Sequence, residues 1–172
     1  MIYFLQENNL LKKDEKLQVL YVKDDEPFPE VSDFMEKSKD VYNLDIVAVS
    51  RPMKEGLQGM LEARPHIQAA ILGTRNGDPN ASSQKKFCPT DSDWPKLMRV
   101  NPILKWNYAD IWTLIRGLNL PYPGLYDRGY TSLGDRRNTV PNPSLIETND
   151  GKVSYKPAYL LEDGTLERNG RK

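Results

Sequence analysis

Residues 17–50 read LQVLYVKDDEPFPEVSDFMEKSKDVYNLDIVAVS, and this stretch decides the fold. The compact apolar run at 17–22 predicts a strand, and Pro27 and Pro29 predict a turn after it. Apolar residues then recur at helical spacing from Glu30 onward. The β-branched run at 44–50 predicts a second strand. The stretch is therefore a strand, a helix and a strand joined by short connections.

The same alternation continues on both sides of this stretch. Residues 1–12 carry a short helical pattern, residues 53–64 return to helix, and IQAAILG (67–73) predicts a third, buried strand. This order predicts an α/β fold with a mostly parallel sheet flanked by helices. Ligands of such sheets bind beyond the carboxyl ends of the strands, where KDDE (23–26) and GTRNGDPN (73–80) stand.

The second half of the chain is less regular. Residues 74–96 are polar, and a loop of that length is typical of functional or disordered segments. MRVNPIL (98–104) predicts a strand, in which Pro102 indicates an edge or a terminating position. Asn107 is expected to cap a helix that has Asp110 at its third position. The rest is predicted to form an irregular C-terminal extension. The inward positions of the helix are Ile111, Trp112, Leu114, Ile115 and Leu118.

Length and composition narrow the class of protein. The 172 residues fit a single domain, to which we assign residues 1–172. Lys and Arg (24) balance Asp and Glu (24), so a generally basic nucleic-acid-binding surface is not expected. No apolar run is long enough to predict a membrane span. The single cysteine, Cys88, excludes an intramolecular disulfide and a cysteine-based metal site. We therefore expect a cytoplasmic protein without nucleic-acid or membrane partners.

The segment GTRNGDPN offers candidate binding residues. Arg75 follows the predicted strand end and can present a planar donor fork to a phosphate or a carboxylate. Asp78 either accepts hydrogen bonds from ring N–H or sugar hydroxyl groups, or it closes its own turn. The spacing does not decide between these roles. Trp94, in DSDWP, could equally stack on a planar ligand or pin its loop.

Two further motifs suggest phosphate binding. In LERNGR (166–171), Arg168 and Arg171 suit an anion such as pyrophosphate, although a position near the chain end favours a solvated tail. GLYDRGYT (124–131) has the glycine spacing of a phosphate loop, but Tyr130 occupies the lysine position. Turns built by glycine are the favoured interpretation there.

Five segments, in the same order along the chain, resemble eukaryotic FAD synthase, the FMN adenylyltransferase of the phosphoadenylylsulfate-reductase-like superfamily. One small departure is Asn80, which stands where the family more usually has an aromatic residue after Asp-Pro. The segments are DDEPFPEVSDFMEKSKDVYNLD (24–45), GTRNGDPN (73–80), PTDSDWPKLMRVNPILKWNYADIW (89–112), GLYDRGYTSLGDRRNTVPNP (124–143) and YLLEDGTLERNGR (159–171).

The resemblance implies an enzyme that transfers AMP from ATP to FMN, giving FAD and pyrophosphate with Mg²⁺. The FMN phosphate would attack the α-phosphorus of ATP, so catalysis would consist mainly of alignment and cationic stabilisation. The resemblance implies catalytic roles for Arg168 and Arg171 of the ERxGR motif. It implies that Asp78, Arg75 and Trp94 bind the flavin. It implies no metal ligand among the side chains of this sequence. The residues that it implies for nucleotide binding are Lys23, Asp24, Asp25, Gly73 and Thr74.

One departure from the family concerns the phosphate loop. The family begins with a strand and an SGGKD-like loop that holds the pyrophosphate and the metal, and no such segment occurs in these residues. The sequence thus resembles a family member truncated at its N-terminus. Loss of a central strand would expose unpaired backbone and favour instability or association with another chain. A non-catalytic flavin- or nucleotide-binding remnant is the alternative. Sulfonucleotide reduction needs a nucleophilic cysteine near the C-terminus, and residues 89–172 contain none.

Overall fold

The structure is a computed structural model. The helix predicted over residues 1–12 lies outside its described residues, apart from 7–8. The described residues are 7–8, 16–49, 52–79 and 81–172.

The predicted strand–helix–strand unit is confirmed. Strands β1 (Leu17–Val22) and β2 (Leu44–Val49) pair in parallel, and helix α1 (Pro29–Val41) connects them. The helix begins at a proline because the fixed φ of proline suits a first helical turn, where its missing N–H costs nothing. It ends before Asn43, whose φ of 50° turns the chain into β2. The predicted helix after β2 is α2 (Met53–Ala63).

A second sheet holds the remaining parallel pair. Strand β3 (Ala69–Ile71) runs parallel to β5 (Met98–Val100), and β5 pairs antiparallel with β4 (Phe87–Pro89). The predicted α/β class with a mostly parallel sheet is therefore confirmed, since β1–β2 and β3–β5 are parallel pairs and only β4–β5 is antiparallel in these two sheets. The edge prediction for β5 is wrong, because β5 is central in the order β3-β5-β4. The terminating prediction is confirmed, since the strand stops before Pro102, which cannot donate to a ladder.

Two predictions about this region are corrected. The segment 67–73 is a strand only over the three residues of β3, and Ile71 is 46% exposed rather than buried. Within the described chain β3 pairs on one side only, with β5. The loop 74–96 is not structureless, because it contains β4. That strand is three residues long and is defined by a distant partner, so local periodicity could not reveal it.

Helix α3 (Tyr108–Gly117) carries the predicted capping box. The Asn107 side chain accepts a hydrogen bond from the Asp110 backbone N–H at 2.9 Å, and the Asp110 side chain accepts from the Asn107 N–H at 2.9 Å. Trp112 is buried as expected. Leu114 and Leu118 are exposed, contrary to expectation, because the buried face is centred on Tyr108 and Trp112.

Removing this cap should weaken the fold measurably. Asn107→Ala leaves the backbone N–H of Asp110 without its partner, so we expect a loss of about 1 kcal/mol in the free energy of unfolding. Urea denaturation followed by circular dichroism measures the change. Asn119→Ala, beyond the helix, is not a suitable control because its φ is positive. Thr113→Ala, on the exposed helix surface, is the matched control and should change stability by less than about 0.5 kcal/mol.

The best-packed region surrounds Trp112. Its indole makes edge-to-face contacts with the rings of Tyr122, Tyr126 and Tyr159, with centroids 5.3 to 5.9 Å apart. Edge-to-face geometry is favourable for aromatic rings and fixes their relative orientation. The C-terminal extension is thereby held firmly against α3. The buried members of this cluster are Tyr108, Trp112, Leu145, Ala158 and Leu161.

The C-terminal extension is irregular as predicted, with one exception. Strands β6 (Ile146–Asn149) and β7 (Lys152–Tyr155) form an antiparallel hairpin. Asp150 and Gly151 both have positive φ, 50° and 75°, as a two-residue type I′ turn requires. The Asp-Gly dipeptide is a local signal for this hairpin, which the prediction of an irregular extension missed. Single-turn 3₁₀ helices make up much of the rest.

Candidate functional site

A cavity of about 350 Å³ opens between the end of β3 and helix α3. One side is apolar and aromatic, and the other presents Gly73, Arg75, Thr131 and Glu167. A volume of this size with few polar groups is typical of small-molecule sites. The cavity lies where parallel strands end, as the architecture predicted. The apolar side is formed mainly by Phe34, Ile103, Tyr108, Ile111, Trp112, Ile115, Tyr122 and Tyr126.

Two carboxylates hold Arg75 at the polar end of the cavity. Its Nη2 donates to both Glu167 carboxylate oxygens, at 2.8 and 2.7 Å, and lies 3.3 Å from Asp78 Oδ1. Burial lowers the pKa of Arg75, but the hydrogen bonds and charges of Glu167 and Asp78 outweigh it and raise the pKa overall. One guanidinium faces two carboxylates, so this end is suited to a ligand edge that donates hydrogen bonds rather than to a phosphate.

Asp78 closes its own turn in this structure. Its Oδ2 accepts from the Arg75 backbone N–H at 2.8 Å, and its own N–H donates to the Arg75 carbonyl at 2.9 Å. This is the turn role that the sequence left open. The carboxylate is still 27% exposed beside Arg75, so contact with a ligand remains a prediction.

The tyrosines of the cavity wall are held neutral. Burial raises the pKa of Tyr126, and the negative charge of Glu167 raises it further. Burial likewise raises the pKa of Tyr108, whose hydroxyl donates to the Ala158 carbonyl at 2.8 Å. These rings therefore offer uncharged aromatic surfaces to a planar ligand.

Arg168 and Arg171 form a cationic pair one residue beyond Glu167. Arg168 is exposed, while Arg171 is partly buried and donates to the Leu133 carbonyl and to Ser132 Oγ. Burial lowers the pKa of Arg171, and the positive charge of Arg168 lowers it further, with Asp24 opposing both. Two cationic side chains whose charges act on each other are suited to binding an anion.

The chain carrying these arginines is not a solvated tail. The Val140 N–H donates to the Gly170 carbonyl at 2.9 Å, and the Lys172 N–H donates to the Asn138 carbonyl at 2.9 Å. Gly170 is buried against Val140, where a Cβ would overlap the backbone carbonyl. The alternative of a solvated C-terminus is therefore wrong.

The end of β1 lies against the 3₁₀ helix Arg136–Asn138. Asp25 pairs with Arg137 at 3.3 Å, and Glu26 pairs with Arg136 at 3.5 Å. Asp24 is close enough to Arg171 for its charge to act on that side chain. Lys23 is exposed, and its backbone N–H donates to Val49. Arg136 and Arg137 thus hold the predicted nucleotide-binding strand end, and the charge of Asp24 acts on Arg171.

Asp135 lies beside Arg137 and accepts hydrogen bonds from it. These bonds stabilise the charged carboxylate, so the pKa of Asp135 is below its ordinary value. The Asp135 Oδ2 also accepts from the Glu26 backbone N–H at 3.2 Å. Asp135 therefore connects the strand end to Arg137.

The structure separates Trp94 from Arg75. Trp94 lines another cavity, of about 640 Å³, together with Lys54 and Gln58 of α2. It does not line the cavity that holds Arg75 and Glu167. Gly73 does line that cavity, and Thr74 is half-buried between Gly73 and Arg75. Of the three residues predicted to bind flavin, Arg75 and Asp78 therefore lie together, and Trp94 lies apart from them.

Within the described ranges, no group of three or more His, Cys, Asp or Glu side chains is placed to hold a metal ion. In the same part of the chain, no helix has the length and apolar character needed to cross a membrane.

Residues 55–141, half of the chain, match the phosphoadenosine phosphosulfate reductase domain model. The chain belongs to that family. Its resemblance to FAD synthases is confirmed. The probable FAD synthase of Schizosaccharomyces pombe is 44% identical over 173 residues, covering 99% of this chain and 64% of that protein. The probable FAD synthase of Caenorhabditis briggsae is 44% identical over 94% of this chain and 32% of that protein. The chain therefore spans less than two thirds of either relative.

A solved structure supports the fold assignment. Candida glabrata FMN adenylyltransferase in complex with FMN and the ATP analog AMPCPP superposes with a TM-score of 0.88 at 27% identity. The similarity covers 97% of this chain and 73% of that one. The α/β nucleotide-binding fold of this phosphoadenosine phosphosulfate reductase domain is thereby confirmed.

Sequence reasoning missed several residues of the site in this family member. Glu167 was passed over, although it stands inside the ERxGR motif beside Arg168. Thr131 and the cavity tyrosines carried no local signal, because their role depends on which distant segments pack together. Tyr126, for example, meets Trp112 only in the folded chain.

Proposed function

We propose that this chain transfers AMP from ATP to FMN, forming FAD and pyrophosphate. The observation that carries the proposal is the adjacency of two unlike half-sites. Glu167 lines an aromatic cavity, and the next residue, Arg168, begins a cationic pair outside that lining. A substrate that joins a planar ring to a phosphate matches this arrangement. The FAD synthase relatives support the same substrate class.

In this proposal the flavin ring occupies the aromatic cavity. Tyr126 and Trp112 would pack against its faces and edges, and the carboxylates of Asp78 and Glu167 would accept from its ring N–H. Arg75 would orient both carboxylates and limit their repulsion. The FMN phosphate would then point toward Arg168 and Arg171.

The proposed chemistry is a phosphoryl substitution. An FMN phosphate oxygen attacks the α-phosphorus of ATP, a new P–O bond forms, and the bond to the β-phosphate oxygen breaks. Negative charge gathers on the departing pyrophosphate, where Arg168 and Arg171 would stabilise it. Lys23, Asp24 and Asp25 would line the adenine and ribose site. Mg²⁺ would enter as part of the Mg-ATP substrate, chelated by the phosphates.

The deciding experiment is FAD formation from FMN and Mg-ATP, resolved by chromatography. FMN binding is titrated on the same sample by the change in flavin fluorescence. FAD and pyrophosphate appearing in equal amounts would support the proposal. FMN binding without product would instead support a non-catalytic flavin-binding chain. Binding of neither FMN nor ATP would overturn both.

The partners in this proposal are small-molecule nucleotides and flavin, and its location is the cytoplasm. The cytoplasmic location of the protein is proposed because the sequence has a single cysteine, Cys88, and a protein without disulfides suits a reducing compartment.

A further inference from the structure

A buried polar network lies behind the cationic pair. Asn142 is fully buried, with 0% exposure. Its Nδ2 donates to Thr131 Oγ1 at 2.8 Å and to the Leu166 carbonyl at 2.8 Å, while its Oδ1 accepts from the Ser144 N–H at 2.9 Å. A buried amide bonded through both its ends holds the segments that it joins in one arrangement.

Thr131 carries this network to the cavity. It is 3% exposed, and its hydroxyl donates to the Glu167 carbonyl at 2.6 Å while accepting from Asn142. Thr131 also lines the cavity beside Glu167. One hydroxyl group therefore fixes the peptide unit that joins Glu167, at the ring end, to Arg168, at the phosphate end.

Backbone hydrogen bonds also fix the main chain that follows this peptide. The Arg171 N–H donates to the Arg168 carbonyl at 2.9 Å, and Gly170 accepts from Val140. A shift at Glu167 would therefore move both guanidinium groups relative to the cavity. The carbonyls of Leu166 and Glu167 are the points at which Asn142 and Thr131 prevent that shift.

We propose that Thr131 is a positioning residue for the arginine pair, acting through the Glu167 carbonyl. This inference rests on the proposed function, in which Arg168 and Arg171 bind the phosphate groups. Thr131 does not contact the phosphates in this assignment. It determines where the two arginines stand with respect to a ring held in the cavity.

The test compares two substitutions at one position. Thr131→Val keeps the shape of the side chain but removes the hydroxyl, so the Glu167 carbonyl loses the hydroxyl donor and Asn142 Nδ2 keeps only its bond to the Leu166 carbonyl. Thr131→Ser retains the hydroxyl. Since displacement of about 1 Å can cost about 100-fold in rate, we expect Thr131→Val to lower kcat and weaken pyrophosphate binding at least about tenfold. Thr131→Ser should stay within about threefold of the native chain in both measurements.

Thr90→Val is the matched control. The Thr90 hydroxyl donates to the Pro95 carbonyl at 2.7 Å and accepts from the Leu97 N–H at 3.1 Å, so the same kind of link is removed elsewhere. Thermal unfolding of all the variants measures the stability cost. Thr90→Val should lose comparable stability and keep its affinity for pyrophosphate.

Calorimetric titration with inorganic pyrophosphate separates the possible outcomes. Equal affinities in Thr131→Val and Thr131→Ser would overturn the positioning role. A native chain that binds pyrophosphate but forms no FAD would overturn the proposed function and leave the positioning role standing.

A further measurement on the native chain covers the case in which Thr131→Val does not fold. Pyrophosphate should slow hydrogen exchange at the amides of Arg171 and Lys172, because both lie in the positioned segment. Unchanged exchange, or no pyrophosphate binding at all, would overturn the inference.

Discussion

Arg168→Ala should lower kcat for FAD formation by about 10²- to 10³-fold, the usual cost of removing one donor that stabilises transition-state charge. Arg168 is exposed at the end of a segment whose main chain is fixed, so its loss should leave the fold intact. The affinity for FMN should fall less than kcat does, because the aromatic cavity still holds the ring when the contact with the FMN phosphate is lost. Steady-state kinetics and fluorescence titration measure the two effects separately.

Lys172→Ala is the matched control for Arg168→Ala. Lys172 is also an exposed cation in the same segment, and its backbone, rather than its side chain, bonds to Asn138. Its loss removes the same net charge but no donor from the arginine pair. Equal losses of turnover in the two variants would show that only overall charge matters and would refute the assignment of Arg168. Arg168→Lys should recover part of the activity, because it restores charge without the planar fork.

The first half of the fold could be predicted because its signals are local. Strands β1 and β2 and the helices after them are long enough for periodicity to identify each one, and prolines and Asn43 set their limits. Strand β4 and the short β3 could not be delimited in that way. Each has three residues, and its state depends on pairing with β5 rather than on a periodicity of its own.

The candidate site was predictable only where a motif stood in one stretch of chain. Arg168 and Arg171 were found through ERxGR, and Arg75 and Asp78 through a single turn. The Arg75–Glu167 pair spans 92 positions in sequence, so no local pattern shows that Arg75 is already occupied by a carboxylate. Trp94 is a loop aromatic near the motifs in sequence that lies on another cavity in space, and its contact with flavin stays a prediction.

Gly134→Ala should reduce turnover by about 100-fold with little loss of stability. A Cβ at Gly134 would overlap the guanidinium of Arg171, which lies directly over this residue. The overlapping atoms belong to the guanidinium group at the far end of a flexible side chain, so the arginine side chain can move aside without disturbing the backbone. It would then lose its contacts with Leu133 and Ser132 and its place beside Arg168.

Gly124→Ala tests whether the effect comes from Arg171. A Cβ at Gly124 meets no atom within 4 Å, so this variant makes the same backbone change without displacing a side chain. We expect native turnover from Gly124→Ala and reduced turnover from both Gly134→Ala and Arg171→Ala. In the double variant Gly134→Ala, Arg171→Ala the two losses should not add, because both remove the same guanidinium from the same place. Additive losses would mean that Gly134 affects catalysis through the backbone, and that the position of Arg171 is not what the glycine protects.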